Sequence, residues 1–417
     1  MMRGRLQPDQ RRGFWAAWSG WVLDGMDSFI YALALAPALT ELLPASGYSG
    51  SPAQVAFAGS MLFALFLVGW GLSFVWGPVA DRIGRVRTLA AAIAFYAVFT
   101  GAAALAQHVW QFAICRLLAG IGIGGEWALA GTYVAESWPE DRRVRGAGYL
   151  QTGYYVGFFL AAALNYTVGA VYGWRALFLC GGLPVLVAIY VARSVREPER
   201  WRAPGAGAPL RRILTAQFRR RTLINAGLAT VSIVGLWAGT VYEPTAILQL
   251  ARQAGYSSAA ATRWASFGTA LLSVCTILGC LALPPLAQML GRRWAHALFL
   301  LGMAVSIYLS FGWAFYTHEA LLLFIATLVP LGFFGGNFAM YSLWLPEQYP
   351  TAVRATAFAF VTSFGRFIGA GINFAIGAGV AAYGSIGMPV ASTALAFFLG
   401  LLLLPAALET RGSRLPD

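Results

Sequence analysis

The chain has 417 residues, of which 59% are hydrophobic and only 11% are charged, and its mean hydropathy is +0.66. A soluble domain carries about 25% charged residues, so most of this chain must lie in lipid. The net charge of +13 comes from arginine, because the sequence contains no lysine. Since these arginines lie between apolar stretches, they indicate membrane orientation and not nucleic-acid binding.

Twelve apolar stretches, which we call spans one to twelve, are long enough to cross a bilayer. Backbone groups in lipid must find partners within their own segment, so each span is predicted to be an α-helix. A basic, proline-containing segment at 194–221 separates six spans from six. The sequence therefore predicts an all-α membrane protein with an N-terminal bundle at 1–193, a linker at 194–221 and a C-terminal bundle at 222–417. The spans run over 14–40, 54–76, 88–106, 110–136, 144–171, 174–193, 222–248, 263–287, 294–316, 320–345, 352–380 and 385–408.

Span one contains two acids, Asp24 and Asp27, three residues apart. Residues i and i+3 share one face of a helix, and each charge near the bilayer centre costs about 2.5–3.5 kcal/mol on insertion scales. Two such residues on one face predict a functional face, and our hypothesis is that one or both carry protons. The alternative is a pair near the helix end that is hydrated or neutralised by a neighbouring helix.

The arginines also predict the topology of the chain. They concentrate in the segments 77–87, 137–145, 194–221 and 288–293 and in the C-terminal tail, whereas the alternate loops hold few. Positive residues favour the cytoplasmic side, so both termini are expected in the cytoplasm, with the protein in a bacterial inner membrane.

The two halves of the sequence repeat weakly. This predicts duplication of a six-helix unit, with a substrate site near the midplane between the halves and rocking motion for alternating access. At an offset of 211, Gly124-Gly125-Glu126 matches Gly335-Gly336-Asn337, and Glu136 with Pro139 matches Glu347 with Pro350. An arginine follows each of the latter two, Arg145 in the first copy and Arg354 in the second.

The segment from Gly77 to Arg87, with Asp81, Gly84 and Arg85, resembles the signature between helices two and three of the major facilitator superfamily. Two further motifs resemble those of the proton-coupled organic-acid symporters within it, of the aromatic acid, sialate and metabolite types. They are Asp24-Gly25-Met26-Asp27 in span one and the stretch from Gly122 to Trp127 in span four.

The resemblance implies that Asp81 locks the two halves on the inner side, with Arg85 and Arg145 in reach. In the second copy Gln288 stands where Asp81 would be, so the second latch is expected to be weaker or rebuilt from Glu347 and Arg292. The predicted gating residues are Asp81, Arg82, Arg85, Glu136, Arg145, Glu347 and Arg354.

Span four contains Arg116 and Glu126. An arginine inside an apolar span needs an anionic partner, and Asp27 and Asp24 are the candidates; the alternative is an arginine that snorkels to the membrane edge. Glu126 is either a second proton site, a partner for an inner-side group such as Arg145, or a structural acid. We therefore assign proton coupling to Asp24, Asp27, Arg116 and Glu126.

Arg366 is the one charge in span eleven. Its guanidinium suits planar, bidentate recognition of a carboxylate, supplied either by the substrate or by an acid of the other half. Glu243 precedes Pro244 in span seven, where a kink suits an outer gate. The predicted substrate-binding residues are Arg366, Tyr31, Tyr154, Asn373, Tyr341 and Glu243, although the aromatic residues and the amide also fit simple packing.

The sequence shows no Walker loop, metal-ligand spacing or nucleophile triad, so it predicts a transporter that is not an enzyme and needs no cofactor or metal. The hypothesis is proton-coupled import of a small organic anion, such as a mono- or aromatic carboxylate or sialic acid. The expected partners are that anion, protons and the lipid bilayer, with a monomer as the unit and no nucleic acid. The alternatives are a transporter of a neutral sugar or polyol and a non-transporting sensor on the same scaffold.

Overall fold

The computed structural model describes residues 6–199, 201, 210–236, 242–383 and 385–416, and these residues form α-helices joined by short loops, 3₁₀ turns and π turns. No β-strand occurs in the described ranges. The α-helices are α1 Pro8–Ala45, α2 Pro52–Leu72, α3 Trp76–Ile83, α4 Arg85–Ala103, α5 Val109–Ser137, α6 Arg143–Leu164, α7 Ala170–Cys180, α8 Pro184–Ser194, α9 Leu210–Ile213, α10 Arg219–Leu236, α11 Glu243–Gln253, α12 Ser258–Leu290, α13 Arg292–Ile307, α14 Ala320–Gly335, α15 Ala339–Trp344, α16 Arg354–Tyr383, α17 Gly387–Ser392 and α18 Leu395–Leu403.

Nine helical stretches of the described chain are long and apolar enough to cross a membrane, or ten when the two parts of α1 count as one span. α1 bends by 59° between Leu35 and Pro37, because proline removes a backbone donor and its ring clashes with the preceding turn. α6 and α10, which begin with clusters of arginine, occupy the two remaining places in the predicted order. The described chain is thus the all-helical fold that the sequence predicts.

The predicted linker is described only in part. Its residues 200 and 202–209 lie outside the described residues, as do 237–241 of span seven, so the division at 194–221 remains a prediction. Its described C-terminal part contains the single helical turn α9. Ile213 and Phe218 around it are buried against Tyr349 and Val353, which anchors this end of the linker on the second half.

Close packing of α1 on α6 brings the acidic segment of span one against the core. A Cβ atom built on Gly25 would lie 2.1 Å from the carbonyl oxygen of Tyr154, and one on Gly157 would lie 2.1 Å from the carbonyl oxygen of Val22. Only glycine allows two helix backbones to approach so closely. This contact fixes the height of Asp24 relative to Tyr154.

We predict that Gly157→Val lowers the free energy of unfolding in detergent by about 1–3 kcal/mol, the usual cost of overpacking, because the added atoms clash with the α1 backbone. Thermal unfolding would report this loss as a lower melting temperature. The matched control is Gly371→Ala, where an added Cβ meets nothing within 4 Å. That control is expected to be neutral or slightly stabilising, since alanine is the better helix former. Equal melting temperatures for Gly157→Val and the unmodified protein would contradict the packing described above.

Candidate functional site

Both ends of the described chain lie on one face of the molecule. Near the start, Asp9 pairs with Arg196 at 3.1 Å, and the Gln10 side chain donates to the Ser137 carbonyl at 2.8 Å. Near the end, the Leu415 N–H donates to Glu140 at 3.3 Å. We call this side the terminal face.

A buried ion network joins the two halves at the terminal face. Arg85 contacts Asp81 at 2.6 Å and Glu136 at 3.0 Å, and Glu136 contacts Arg354 of the second half at 2.7 Å. Asp81 also accepts hydrogen bonds from the backbone N–H and the hydroxyl of Thr356, at 3.0 and 2.5 Å. The predicted latch residue Asp81 therefore contacts both its own half and the opposite one.

A second, symmetry-related network is centred on Glu347. It contacts Arg292 of its own half at 2.8 Å and Arg143 of the first half at 3.2 Å, and it accepts a hydrogen bond from the Thr410 hydroxyl at 2.5 Å. The contact expected between Glu347 and Arg292 is present, and the Thr410 hydroxyl adds a hydrogen bond to Glu347.

Arg143, and not the predicted Arg145, is the counterpart of Arg354. The 211-residue offset of the repeat leads from 143 to 354, and Arg143 is buried whereas Arg145 is exposed. Two residues along a helix turn the side chain by about 200°, which directs Arg145 away from the network. Arg82 is exposed as well, and among the described residues neither it nor Arg145 forms an ion pair.

Two glutamates anchor the helices that carry Arg85 and Arg292. Glu197 accepts from the backbone N–H groups of Arg85 and Val86 at 2.7 and 3.0 Å, and Glu409 accepts from that of Arg292 at 3.0 Å. An acid at a helix N-terminus is favourable because it meets unsatisfied N–H groups. Partial burial by itself raises the pKa of Glu409, but its backbone N–H donors lower that pKa more, so it lies below the usual value.

Asp27 and Arg116 meet in the interior of the first half. The two charged groups are 3.6 Å apart and both side chains are fully buried. Arg116 also donates to the Thr100 hydroxyl at 2.7 Å, and its guanidinium lies 5.3 Å from the ring centre of Tyr31. The expected partner of Arg116 is thus Asp27, and the snorkelling alternative for Arg116 is wrong.

Asp24 and Glu126 form a separate acidic pair. Glu126 lies against Gly20, since a Cβ on that glycine would be 1.9 Å from the Glu126 Oε1 atom. Gly20 precedes Asp24 by one helical turn, about 6 Å along α1. Both acids are fully buried, and neither carboxylate makes a hydrogen bond of ordinary geometry with a described residue.

Arg366 reaches this region from the second half. It lies 12 residues from Arg354, about 18 Å along α16 from the terminal face, while Asp24 lies about 22 Å along α1 from Asp9. Its guanidinium stacks on the Trp70 ring at 4.1 Å and lies 5.9 Å from Trp127. Arg366 is 4% exposed, and its Nη1 donates to the Thr362 carbonyl oxygen.

Charges of the two halves therefore face each other near mid-depth. Asp24 is in electrostatic range of Arg366, Glu126 and Asp27. Tyr154 lies in range of both Asp24 and Arg366 and stacks on Trp21 at 4.9 Å. Trp21 in turn stacks on Trp127 at 5.9 Å. We call this set the central cluster. It consists of Asp24, Glu126 and Arg366 with the rings of Trp21, Trp70, Trp127 and Tyr154.

Arg366 and Tyr154 are the two predicted substrate residues that the central cluster contains. Tyr31 lies beside Arg116, and Asn373 follows Arg366 by two helical turns, about 10 Å along α16. The Tyr341 hydroxyl donates to the Leu228 carbonyl at 2.7 Å within the second half, and its ring packs edge-on against Trp127 of the first half with ring centres 6.3 Å apart.

Glu243 also lies inside the second half, where the Thr269 hydroxyl donates to it at 3.0 Å and it packs on Gly268. Its side chain is fully buried between α11 and α12. The structure does not bring this predicted gate and substrate residue to the central cluster, because α11 turns its first residue towards its own bundle.

The tryptophans around Arg366 were not predicted as site residues. Trp21 and Trp127 stand beside recognised acids in the sequence, but their role depends on contacts between distant helices. Nothing in the sequence marks Trp70 as a site residue, because a single tryptophan in an apolar span can equally be a packing residue.

The sequence could have identified Arg143, because the 211-residue offset of the repeat relates it to Arg354.

An all-helical chain with duplicated halves, a shared ion network on one face and opposed buried charges at mid-depth has the architecture of a membrane transporter. The match to the Major Facilitator Superfamily extends over residues 17–374, and the chain belongs to that family. It is therefore a transporter and not an enzyme.

Two relatives and one solved structure are similar over all or part of the chain. A probable 4-methylmuconolactone transporter of Cupriavidus pinatubonensis is 32% identical, over 97% of this chain and 92% of that protein. The sialic acid transporter NanX of Escherichia coli is 33% identical over 47% of this chain and 46% of its own. The proton:xylose symporter XylE has the same fold, with a TM-score of 0.81, 20% identity and 98% of each chain covered.

We predict that Glu136→Gln destabilises the protein strongly, because it leaves Arg85 and Arg354 buried against a neutral side chain. Breaking a buried ion pair on one side costs about 3–5 kcal/mol, which thermal unfolding in detergent would report as a lowered melting temperature. The control is Asp141→Asn, whose carboxylate is 66% exposed and 3.9 Å from Arg142. An exposed pair contributes about 1 kcal/mol at most, so equal losses in the two variants would show that the network does not hold the halves together.

Proposed function

We propose that this transporter imports a small organic anion together with protons. The anion is a mono- or aromatic carboxylate or a sialic acid, and Arg366 binds its carboxylate. The relatives that transport a muconolactone and sialic acid support this class of substrate.

Arg366 is the observation that carries the proposal. A buried guanidinium near mid-depth, close to the opposite half, is expensive unless an anion comes to it. Arginine offers paired N–H donors that match a carboxylate. The Trp70 and Trp127 rings beside it exclude water, which strengthens its attraction for an anion.

The Asp27–Arg116 pair is the proposed link between protonation and conformation. A proton on Asp27 removes the negative charge that Arg116 faces at 3.6 Å. Arg116 then holds only its bond to Thr100 and its contacts with aromatic rings such as Tyr31. The change favours a different arrangement of α1 against α5, which is the kind of bistable contact that alternating access needs.

The terminal face is proposed to be cytoplasmic, because the arginine-rich segments lie there. With Glu136–Arg354 and Glu347–Arg143 formed, the transporter is closed on that side. Proton and anion would then enter from the other side. These ion pairs would break when the transporter opens to the cytoplasm and releases both.

In proteoliposomes with an acidic outside, we expect accumulation of benzoate, 4-methylmuconolactone or sialic acid, and no inhibition by xylose or a polyol. Arg366→Ala and Arg366→Lys should raise the apparent KM about 10–100-fold, since a charged hydrogen bond contributes about 1.5–3 kcal/mol. Inhibition by sugars and not by acids would favour the neutral-substrate alternative, and binding without accumulation would favour a sensor. Unchanged affinity in both variants would refute the role of Arg366.

Asp27→Asn should abolish proton-driven accumulation and retain part of the exchange of internal for external anion, because asparagine can neither take up a proton nor neutralise Arg116. The measurement compares uptake driven by a pH gradient with counterflow in the same vesicles. If Asp27→Asn still accumulates substrate and Asp24→Asn alone fails to, the conformational role belongs to Asp24.

A further inference from the structure

Glu243 is a carboxyl group of the second half that lies inside a membrane span and away from the terminal face. It accepts a hydrogen bond from Thr269 of α12. α12 begins at Ser258 and ends at Leu290, next to Arg292 of the network at the terminal face. At 1.5 Å per residue, Thr269 lies about 17 Å from the start of α12 and about 32 Å from its end. Glu243 is therefore in the outer part of its bundle, towards the side opposite the terminal face.

The surroundings of the Glu243 carboxyl are apolar apart from one hydroxyl. Thr269 donates to its Oε2 atom at 3.0 Å, whereas Oε1 has no hydrogen-bond partner among the described residues. A Cβ atom built on Gly268 would lie 2.7 Å from Oε1, 2.2 Å from the Cδ1 atom of Ile247 and 3.2 Å from that of Ile325. The glycine thus makes room for the carboxyl between two aliphatic side chains.

Glu243 has no partner of opposite charge in the described part of the chain. Arg252 lies nine residues further along α11, about 14 Å away, and its side chain is exposed. Arg263 lies six residues before Thr269, about 9 Å away along α12, and it is exposed as well. α14, the third helix of this site, carries no charged residue. The charged and titratable groups on and beside these three helices are Tyr242, Arg252, Tyr256, Arg263, Cys275 and Glu319.

This environment suits a neutral carboxyl group. An ionised carboxylate in an apolar interior without a cation is far more costly than the protonated form. Loss of the proton therefore requires water to reach the contact between α11 and α12, where Glu243 is fully buried in this structure. The aliphatic lining favours a proton over a metal cation, because a hard cation needs several oxygen ligands. Acids inside membrane spans are rare and commonly mark proton relays.

We propose that Glu243 carries a proton of its own in each transport cycle, bound while the terminal face is closed and released when the transporter opens there. The carboxylate takes this proton from water on the outer side and returns it to water on the inner side. The inference rests on the proposed function and adds a proton in the second half to the one linked to Asp27 in the first half. A monoanion then enters with a net positive charge, so the membrane potential drives import together with the pH gradient.

The test counts the charge that accompanies each anion in proteoliposomes. The probes are benzoate and sialic acid, which are both monoanions at about pH 7, and the pH is equal on the two sides. A potassium gradient with valinomycin sets the membrane potential. The potential at which a tenfold anion gradient produces neither net uptake nor net loss gives the charge moved per anion, because one net charge balances a tenfold gradient at about 59 mV.

In the unmodified protein we expect at least one net positive charge to enter with each monoanion. Glu243→Gln is close in size to the neutral carboxyl but cannot take up a proton, so it should move one charge fewer per anion. If two protons accompany the anion, the balancing potential is about 59 mV, inside negative, in the unmodified protein. In Glu243→Gln the potential then no longer affects the anion distribution, whereas a pH gradient still drives accumulation.

The matched control is Glu319→Gln. Glu319 is the exposed acid before α14, on the same side of the second half, and its replacement should leave the charge per anion unchanged. A second measurement reports the proton directly. The infrared C=O band of protonated carboxyl groups in the purified full chain should lose intensity in Glu243→Gln and keep it in Glu319→Gln. Size-exclusion profiles and melting temperatures establish that each variant is folded.

Four outcomes would overturn the inference. Uptake by the unmodified protein without net charge does so with no variant, and hence also if Glu243→Gln does not fold. An equal charge per anion in Glu243→Gln and the unmodified protein, or an unchanged infrared band, does so while anion import itself stands. Accumulation that follows a sodium gradient at fixed pH and is lost in Glu243→Gln assigns the site to a metal cation instead. Failure to accumulate any acid with an acidic outside removes the proposed function, and this inference with it.

Discussion

Charge burial in a low-dielectric interior is the constraint on which the rest of this structure depends. An arginine or carboxylate that leaves water must meet an opposite charge or a dense set of hydrogen bonds. Arg85, Glu136 and Arg354 meet this demand together across the two halves. Under the proposed alternating access, opening the terminal face would hydrate these charged groups, and water would then replace the partners that they lose.

The duplication of the chain shapes how that demand is met. Glu136 with Arg354 and Glu347 with Arg143 are the two copies of one contact. The copies differ where Asp81 has no counterpart, and Thr410 from the C-terminal segment contributes the extra bond to Glu347 instead. The network around Glu136 thus has an additional contact between the halves, from Thr356 to Asp81, whereas the network around Glu347 has an additional hydrogen bond from Thr410.

The buried charges of the interior are only partly matched, because the central cluster contains two carboxyl groups, Asp24 and Glu126, and one arginine, Arg366. Asp27 and Arg116 neutralise each other within the first half, whereas Arg366 faces Asp24 across the halves without a direct bond. Aromatic rings fill the space that water would occupy, and Trp70 holds the guanidinium by a cation–π contact.

The sequence alone determined the helical fold, the order of the spans and the identity of the buried charges, because hydropathy and the cost of charge in lipid are properties of each residue in its own segment. It predicted that Arg116 would meet an acid of span one, and that Glu347 and Arg292 would form a latch. It could not choose Asp27 over Asp24, Arg143 over Arg145, or place Glu243 inside its own bundle. Those outcomes depend on helix rotation and on contacts between helices far apart in the chain. Only the tertiary structure decided that Asp24, Glu126 and Arg366 form one cluster, since that requires α1, α5 and α16 to pack at one height.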